Sequence, residues 1–162
     1  MNEKKSIFIV DAMLGNLAKK LRVLGYDSTY FSSIEDEKLL TIAKNEKRTI
    51  LTKDEQLCKK AQNQNVIAIL IRGNDELEQI AQIHQSIKFE KFVIDTNSSR
   101  CIICNGKLQL IEKYRAIDKI PEGVLEREEK FWMCDGCKKI YWQGTHFEKL
   151  QEFADKLNNR LQ

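Results

Sequence analysis

Residues 7–27 read IFIVDAMLGNLAKKLRVLGYD, and this stretch decides the fold. Ile7–Val10 is a short, wholly apolar run, the pattern of a strand buried on both faces. Leu14, Leu17, Leu21 and Leu24 then recur at steps of three and four, which puts them on one face of a helix. Lys19, Lys20 and Arg22 fall mostly off that stripe, where a solvated helix face is expected. Gly25 is a natural stop for the helix. Between strand and helix stands Asp11, a carboxylate at the end of a core strand.

The alternation continues. Ser28–Phe31, Thr49–Leu51 and Val66–Ile71 read as further strands, and Lys91–Thr96 reads as a fifth. Helical patterns separate them, marked by Leu39, Leu40 and Ala43, by Leu57, Cys58 and Ala61, and by Leu77, Ile80, Ala81 and His84. Cys58 reads as buried packing beside Leu57. Strand and helix in alternation predict an α/β fold with a parallel sheet covered on both faces. Ligands in such folds bind beyond the carboxyl ends of the strands.

Acids follow those ends. Asp11 follows the first strand, Asp36 the second, Asp54 the third and Asp75 the fourth. Carboxylates gathered at one edge repel one another unless a cation neutralises them. Mg²⁺ and Mn²⁺ suit oxygen ligands, and either can activate a water for attack on a phosphodiester. The competing reading takes each acid as an ordinary helix cap. Ser33-x-x-Asp36 and Thr52-x-x-Glu55 fit capping patterns, and Asp54 complements a helix dipole.

The character changes near Asn97. Cys101-x-x-Cys104 and Cys134-x-x-Cys137 can each wrap one metal, and together they offer the four thiolates of a Zn²⁺ site. The 29 residues between the pairs exceed compact zinc spacings and must form a hairpin or loop of their own. A mononuclear iron site, a redox dithiol and disulfides are the rivals. Iron lacks the usual flanking proline and glycine, and neither pair sits at the strand–helix junction a redox dithiol needs. The run FWMCDGCKKIYWQGTH sets Trp132 and Trp142 around Lys138 and Lys139, a combination that can stack bases and hold phosphates. Docking of the module onto the main domain is the alternative role for these aromatics. His146 is expected to hydrogen-bond within the module. Leu150, Phe153, Leu157 and Leu161 then form the stripe of a terminal helix.

Composition bounds the function. The chain has 162 residues, 42% hydrophobic, with a net charge of only +3, so total charge supplies no argument for nucleic acid and any such binding needs local clustering. No stretch approaches a membrane span and the run after Lys4 and Lys5 is too short for a signal core, so a cytoplasmic protein with reduced thiols is expected. The expected division is 1–97 for the α/β domain, 98–146 for the zinc module and 147–162 for the terminal helix.

The segments FIVDAMLGNLAKKLRVLGYD, DEKLLTIAKNEKRTILTKDEQL, RCIICNG and FWMCDGCKKIYWQGTH together resemble the Mut-seven C-terminal RNase domain family. These are PIN-like proteins with an attached zinc ribbon. The resemblance implies a three-layer α/β/α nuclease that cleaves single-stranded RNA with Mg²⁺ or Mn²⁺. It implies Asp11, Asp36 and Asp54 as the metal-holding acids and Asp75 as a fourth catalytic acid. Lys53 or Arg72 is the residue expected to steady phosphate, and Arg22 is a further candidate, though solvated helix faces usually carry such charges; a homodimer or ribonucleoprotein partner is implied. A non-catalytic RNA- or ribosome-binding adaptor is the alternative. A phospho-accepting receiver domain fits less well, because Val10 and Ala12 rather than an acid flank Asp11.

Overall fold

A computed structural model describes residues 5–162; Lys4 lies outside them. Four parallel strands form the central sheet in the order β2-β1-β3-β4: β1 (Phe8–Val10), β2 (Ser28–Tyr30), β3 (Thr49–Thr52) and β4 (Ala68–Leu70). The two central strands are buried at every position: β1 is wholly apolar, and β3 encloses Ile50 and Leu51 between two buried threonines. Val10 lies opposite both Tyr30 and Leu51, so β1 and β2 end level and β3 runs one residue further, to Thr52.

Alternation along β1 builds three layers. Phe8 and Val10 face a core shared with α1 (Gly15–Val23), α4 (Glu76–Ser86) and α6 (Thr145–Leu161). Ile9 faces the opposite core, filled by Leu39, Leu40 and Ala43 of α2 (Asp36–Glu46) and by Leu57 and Ala61 of α3 (Glu55–Asn63). The terminal helix α6 buries Ala154 and Leu157 in the first of these cores. No helix among the described residues is long and apolar enough to cross a membrane.

Lys91–Thr96 is not a fifth strand. Asn158 of α6 binds the backbone of Phe92 twice, donating to its carbonyl and accepting from its amide, both at 2.8 Å. A side-chain amide thus takes the place of a neighbouring strand, and Phe92 packs edge-on against Phe89 beneath Tyr26.

The second sheet is antiparallel, with β6 (Phe131–Cys134) between β5 (Leu108–Ile111) and β7 (Ile140–Tyr141). The long spacer carries β5, a 3₁₀ turn at Lys113–Ala116 and α5 (Glu122–Arg127). Ile120, Val124 and Leu125 fold back on Phe131, Met133 and Ile140, giving the module a small core of its own.

Polar contacts dock this module on the main domain. Arg22, expected on a solvated face, is only 5% exposed. Its Nε donates to the Ser28 carbonyl at 2.9 Å and its Nη1 to the Ile102 carbonyl at 2.8 Å. Arg22 is therefore a tie between α1, β2 and the first cysteine pair, and its burial sets it apart from a surface contact to phosphate. Asn105 accepts from the Ser28 amide at 3.0 Å and donates to Asp27 at 2.8 Å. Asp27 also receives Arg48 at 2.6 Å. Gly25, at φ 86°, lets the chain pass, since a Cβ there would lie 2.9 Å from the Ser98 carbonyl oxygen.

Burial acts to raise the Asp27 pKa, but the hydrogen bonds from Arg48 and Asn105 outweigh it and hold the carboxyl below its usual value. A depressed carboxyl stabilises the fold above its unfolded pKa and loses that contribution as acid protonates it. Wild type is therefore expected to lose stability against Asp27→Asn as pH falls from about 5 to about 3. Denaturation at each pH, followed by circular dichroism, reads this; parallel curves for the two proteins would refute it.

Candidate functional site

The parallel register brings Asp11, just past β1, beside Thr52, the last residue of β3. The Asp11 amide donates to the Leu51 carbonyl at 2.9 Å, extending the ladder by one step. The fully buried Thr52 hydroxyl donates to Asp11 Oδ2 at 2.7 Å, and the Ala12 amide donates to Oδ1 at 2.8 Å. The same hydroxyl accepts from the Asp54 amide at 3.0 Å. One threonine thus joins the first-strand acid to the loop that carries the third-strand acid. Asp54 Oδ1 caps α3 by accepting from Gln56 and Leu57, and its Oδ2 has no protein donor among the described residues.

The other acids are engaged elsewhere. Asp36 Oδ2 pairs with Lys60 Nζ at 2.8 Å. Asp75 is exposed and caps α4, accepting from the Glu78 amide at 2.9 Å. Lys53 is exposed, and Arg72 reaches Glu55 at 3.3 Å. Among the described residues the carboxylates do not form a set of three ligand atoms within 4.8 Å of one another. The residues fit a divalent ion in part: Asp11 and Asp54 keep lone pairs free, whereas Asp36 must first release Lys60. Two supporting residues escaped the sequence reading of the site. Thr52 fits a helix-capping pattern in sequence, and the Tyr30 hydroxyl donates to the Ala12 carbonyl at 2.8 Å, bracing the turn behind Asp11.

The four cysteines do converge. Their Sγ atoms all lie within 4.8 Å of one another, with Cys101–Cys137 at 3.6 Å and Cys104–Cys134 at 3.3 Å. Tetrahedral Zn²⁺ with bonds of about 2.3 Å gives sulfur–sulfur edges of about 3.8 Å, so the set fits zinc. Both knuckles close in the same way. The Asn105 amide donates to the Cys101 carbonyl at 2.9 Å, and the Lys138 amide to the Cys134 carbonyl at 3.2 Å. Both donors are left-handed, at φ 68° and 65°. Gly106 is required by close approach, because a Cβ there would lie 2.6 Å from the Cys134 sulfur.

The sequence model of the Mut7-C RNAse domain matches residues 6–154, nearly the whole chain. The chain belongs to the Mut7-C RNAse domain family. Searches of curated proteins and of solved structures found no match.

Within this Mut7-C domain the aromatic–lysine run divides by burial. Trp132 is 3% exposed, packs beside Cys101 and Cys134, and donates its indole N–H to Asn97 at 3.1 Å. It docks the module and has no face open to a base, which corrects the expected nucleic-acid role. Trp142 is half-buried against the module's core, while Lys138 and Lys139 are exposed. His146 is exposed as well. The hydroxyl of Tyr141 lies 3.0 Å from Cys101 Sγ. Cys58 is half-buried rather than buried, since it lies one step around α3 from the enclosed Leu57. Its thiol pKa is raised by burial and then by Asp54 and Glu55.

Burial pushes the Cys134 thiol up to about 12. For Cys104 burial also acts upward, but hydrogen bonds from the Gly106 backbone and the Cys134 thiol bring it down to about 7. Binding zinc requires all four thiolates, so protons compete with the metal and affinity falls with pH. A strong chelator is expected to strip zinc faster as pH drops from about 8 to about 6, with a red shift in emission as Trp132 meets water. Zinc content and fluorescence measure this; unchanged emission after complete metal loss would contradict the assigned structural role.

Proposed function

We propose that this chain is a PIN-like endoribonuclease whose metal-holding core is Asp11 and Asp54, joined through Thr52. The observation that carries the reading is that hydroxyl bridge at the carboxyl ends of two central parallel strands, in a chain of an RNase domain family. Mg²⁺ or Mn²⁺ bound there would supply an acidified water and offset charge on the phosphoryl oxygens. Asp11 keeps lone pairs free on both oxygens after accepting from Thr52 and the Ala12 amide. Asp54 offers Oδ2, its other oxygen being fixed as a helix cap. Asp36 completes the set by exchanging Lys60 for the metal. That exchange is cheap, since solvent already screens so exposed a pair. Lys53 and Arg72 stand exposed after β3 and β4 and would meet the phosphates of a single RNA strand. Asp75 serves α4 as a cap.

Asp11→Asn is expected to reduce cleavage of single-stranded RNA on the order of a hundredfold or more while leaving the fold and zinc content intact. Gel analysis of labelled RNA with Mn²⁺ checks this, and cleavage at the wild-type rate by the pure variant would reject the site.

The Lys60–Asp36 pair favours a second reading, a non-catalytic RNA-binding adaptor in which lysine permanently replaces a metal. Under the nuclease reading, Lys60→Met removes a competing cation and is expected to tighten Mn²⁺ binding several-fold. Calorimetric titration distinguishes the two: RNA binding with no saturable Mn²⁺ site in either protein supports the adaptor.

A further inference from the structure

Net charge gave no basis for RNA binding, so the folded surface must concentrate it. One cleft does so. It has a volume of about 350 Å³ and lies on the zinc module, between the segment that leads into α5 and strand β7. Ile120 and Ile140 form its apolar floor. Pro121 and the half-buried Trp142 contribute flat apolar surface. Lys119, Lys138 and Lys139 line it, and no carboxylate does. A few residues thus carry as much positive charge as the whole chain carries net.

The three lysines are available. None pairs with a carboxylate among the described residues. Lys138 Nζ donates to the Asp135 carbonyl at 2.7 Å and keeps further protons to donate. Lys139 Nζ stands 5.8 Å from the Tyr141 ring. Lys138 is also costly where it is, because its left-handed backbone is one that glycine adopts more easily. The equivalent position of the first knuckle is Asn105, whose side chain docks the module. Gly144 lets its backbone pass close to Trp142, as a Cβ there would lie 3.1 Å from the ring nitrogen.

We infer that this cleft binds one nucleotide unit of a single RNA strand, the base stacking on Trp142 and Pro121 and the flanking phosphates meeting Lys119, Lys138 and Lys139. The assignment rests on the ribonuclease reading for the choice of RNA, and its chemistry is that of a stacking platform inside a basic groove. An acidic peptide would use the lysines but leave the aromatic wall and apolar floor unmatched. The cleft makes the zinc module a holder of substrate, with the metal fixing the backbone that carries Lys138.

The test measures binding, by fluorescence anisotropy, of a labelled oligouridylate of about ten nucleotides to full-length, zinc-loaded protein carrying Asp11→Asn. Trp142→Ala and a Lys119→Glu/Lys139→Glu double variant are each expected to weaken binding about tenfold, with zinc content unchanged and Trp142→Phe near the parent. The slope of log affinity against log salt is expected to fall by about 0.7 for each lysine removed. Parental affinity in these variants, or no binding by the parent, would overturn the assignment. So would equal competition by polyglutamate of matched charge. If wild type cleaves nothing while binding still depends on Trp142, the nuclease reading fails and the cleft stands.

Discussion

The pairing of β1 with β3 governs what this protein can do. Parallel register sets Asp11 beside Thr52, and a hydroxyl enclosed at the end of one central strand then fixes the carboxylate at the end of the other. A carboxylate free to rotate in water is a poor metal ligand, because ordering it costs side-chain entropy at the moment of binding. Here folding has already ordered it. The same threonine meets the Asp54 amide, so the two acids share one anchor. A shift of one residue in register would turn Thr52 to the other face and dissolve the arrangement.

The zinc module bears on this edge through a polar seam. Arg22 and Asn105 both bind the backbone of Ser28, the first residue of β2, and Arg22 reaches the first cysteine knuckle as well. A buried guanidinium needs every one of those acceptors, since desolvation without partners costs several kcal/mol. The module therefore does more than cover apolar surface. It completes the coordination of an arginine inside the main domain, and the cysteine ligands hold the carbonyls where that arginine needs them. After the module the chain returns to the main domain, where α6 closes the core over α1 and α4.

Much of this was legible in the sequence because it obeys local periodicity. The leucine stripe of α1, the apolar run of β1, the β-prone residues of β3 and the two CxxC pairs each carry their meaning within a few residues. What escaped depends on distant partners. Arg22 looked like a solvated charge because nothing nearby reveals carbonyls arriving from Ile102 and Ser28. Trp132 looked available to a base because the strand pattern cannot say which face meets Asn97. Lys91–Thr96 has the composition of a strand, yet Asn158, some sixty residues later, satisfies its backbone instead. The acids fell between these cases. Their positions after the strands were readable, but Lys60 holding Asp36 from a different helix was not.

The central claim is that Asp11 and Asp54 hold one divalent ion in common, and Mn²⁺ located by its anomalous scattering in crystals tests it most directly. The account predicts a single strong peak within bonding distance of both carboxylates, with Asp36 turned away from Lys60 toward the ion. A protein saturated with Mn²⁺ that shows no density there, its Asp36 still on Lys60, would contradict it.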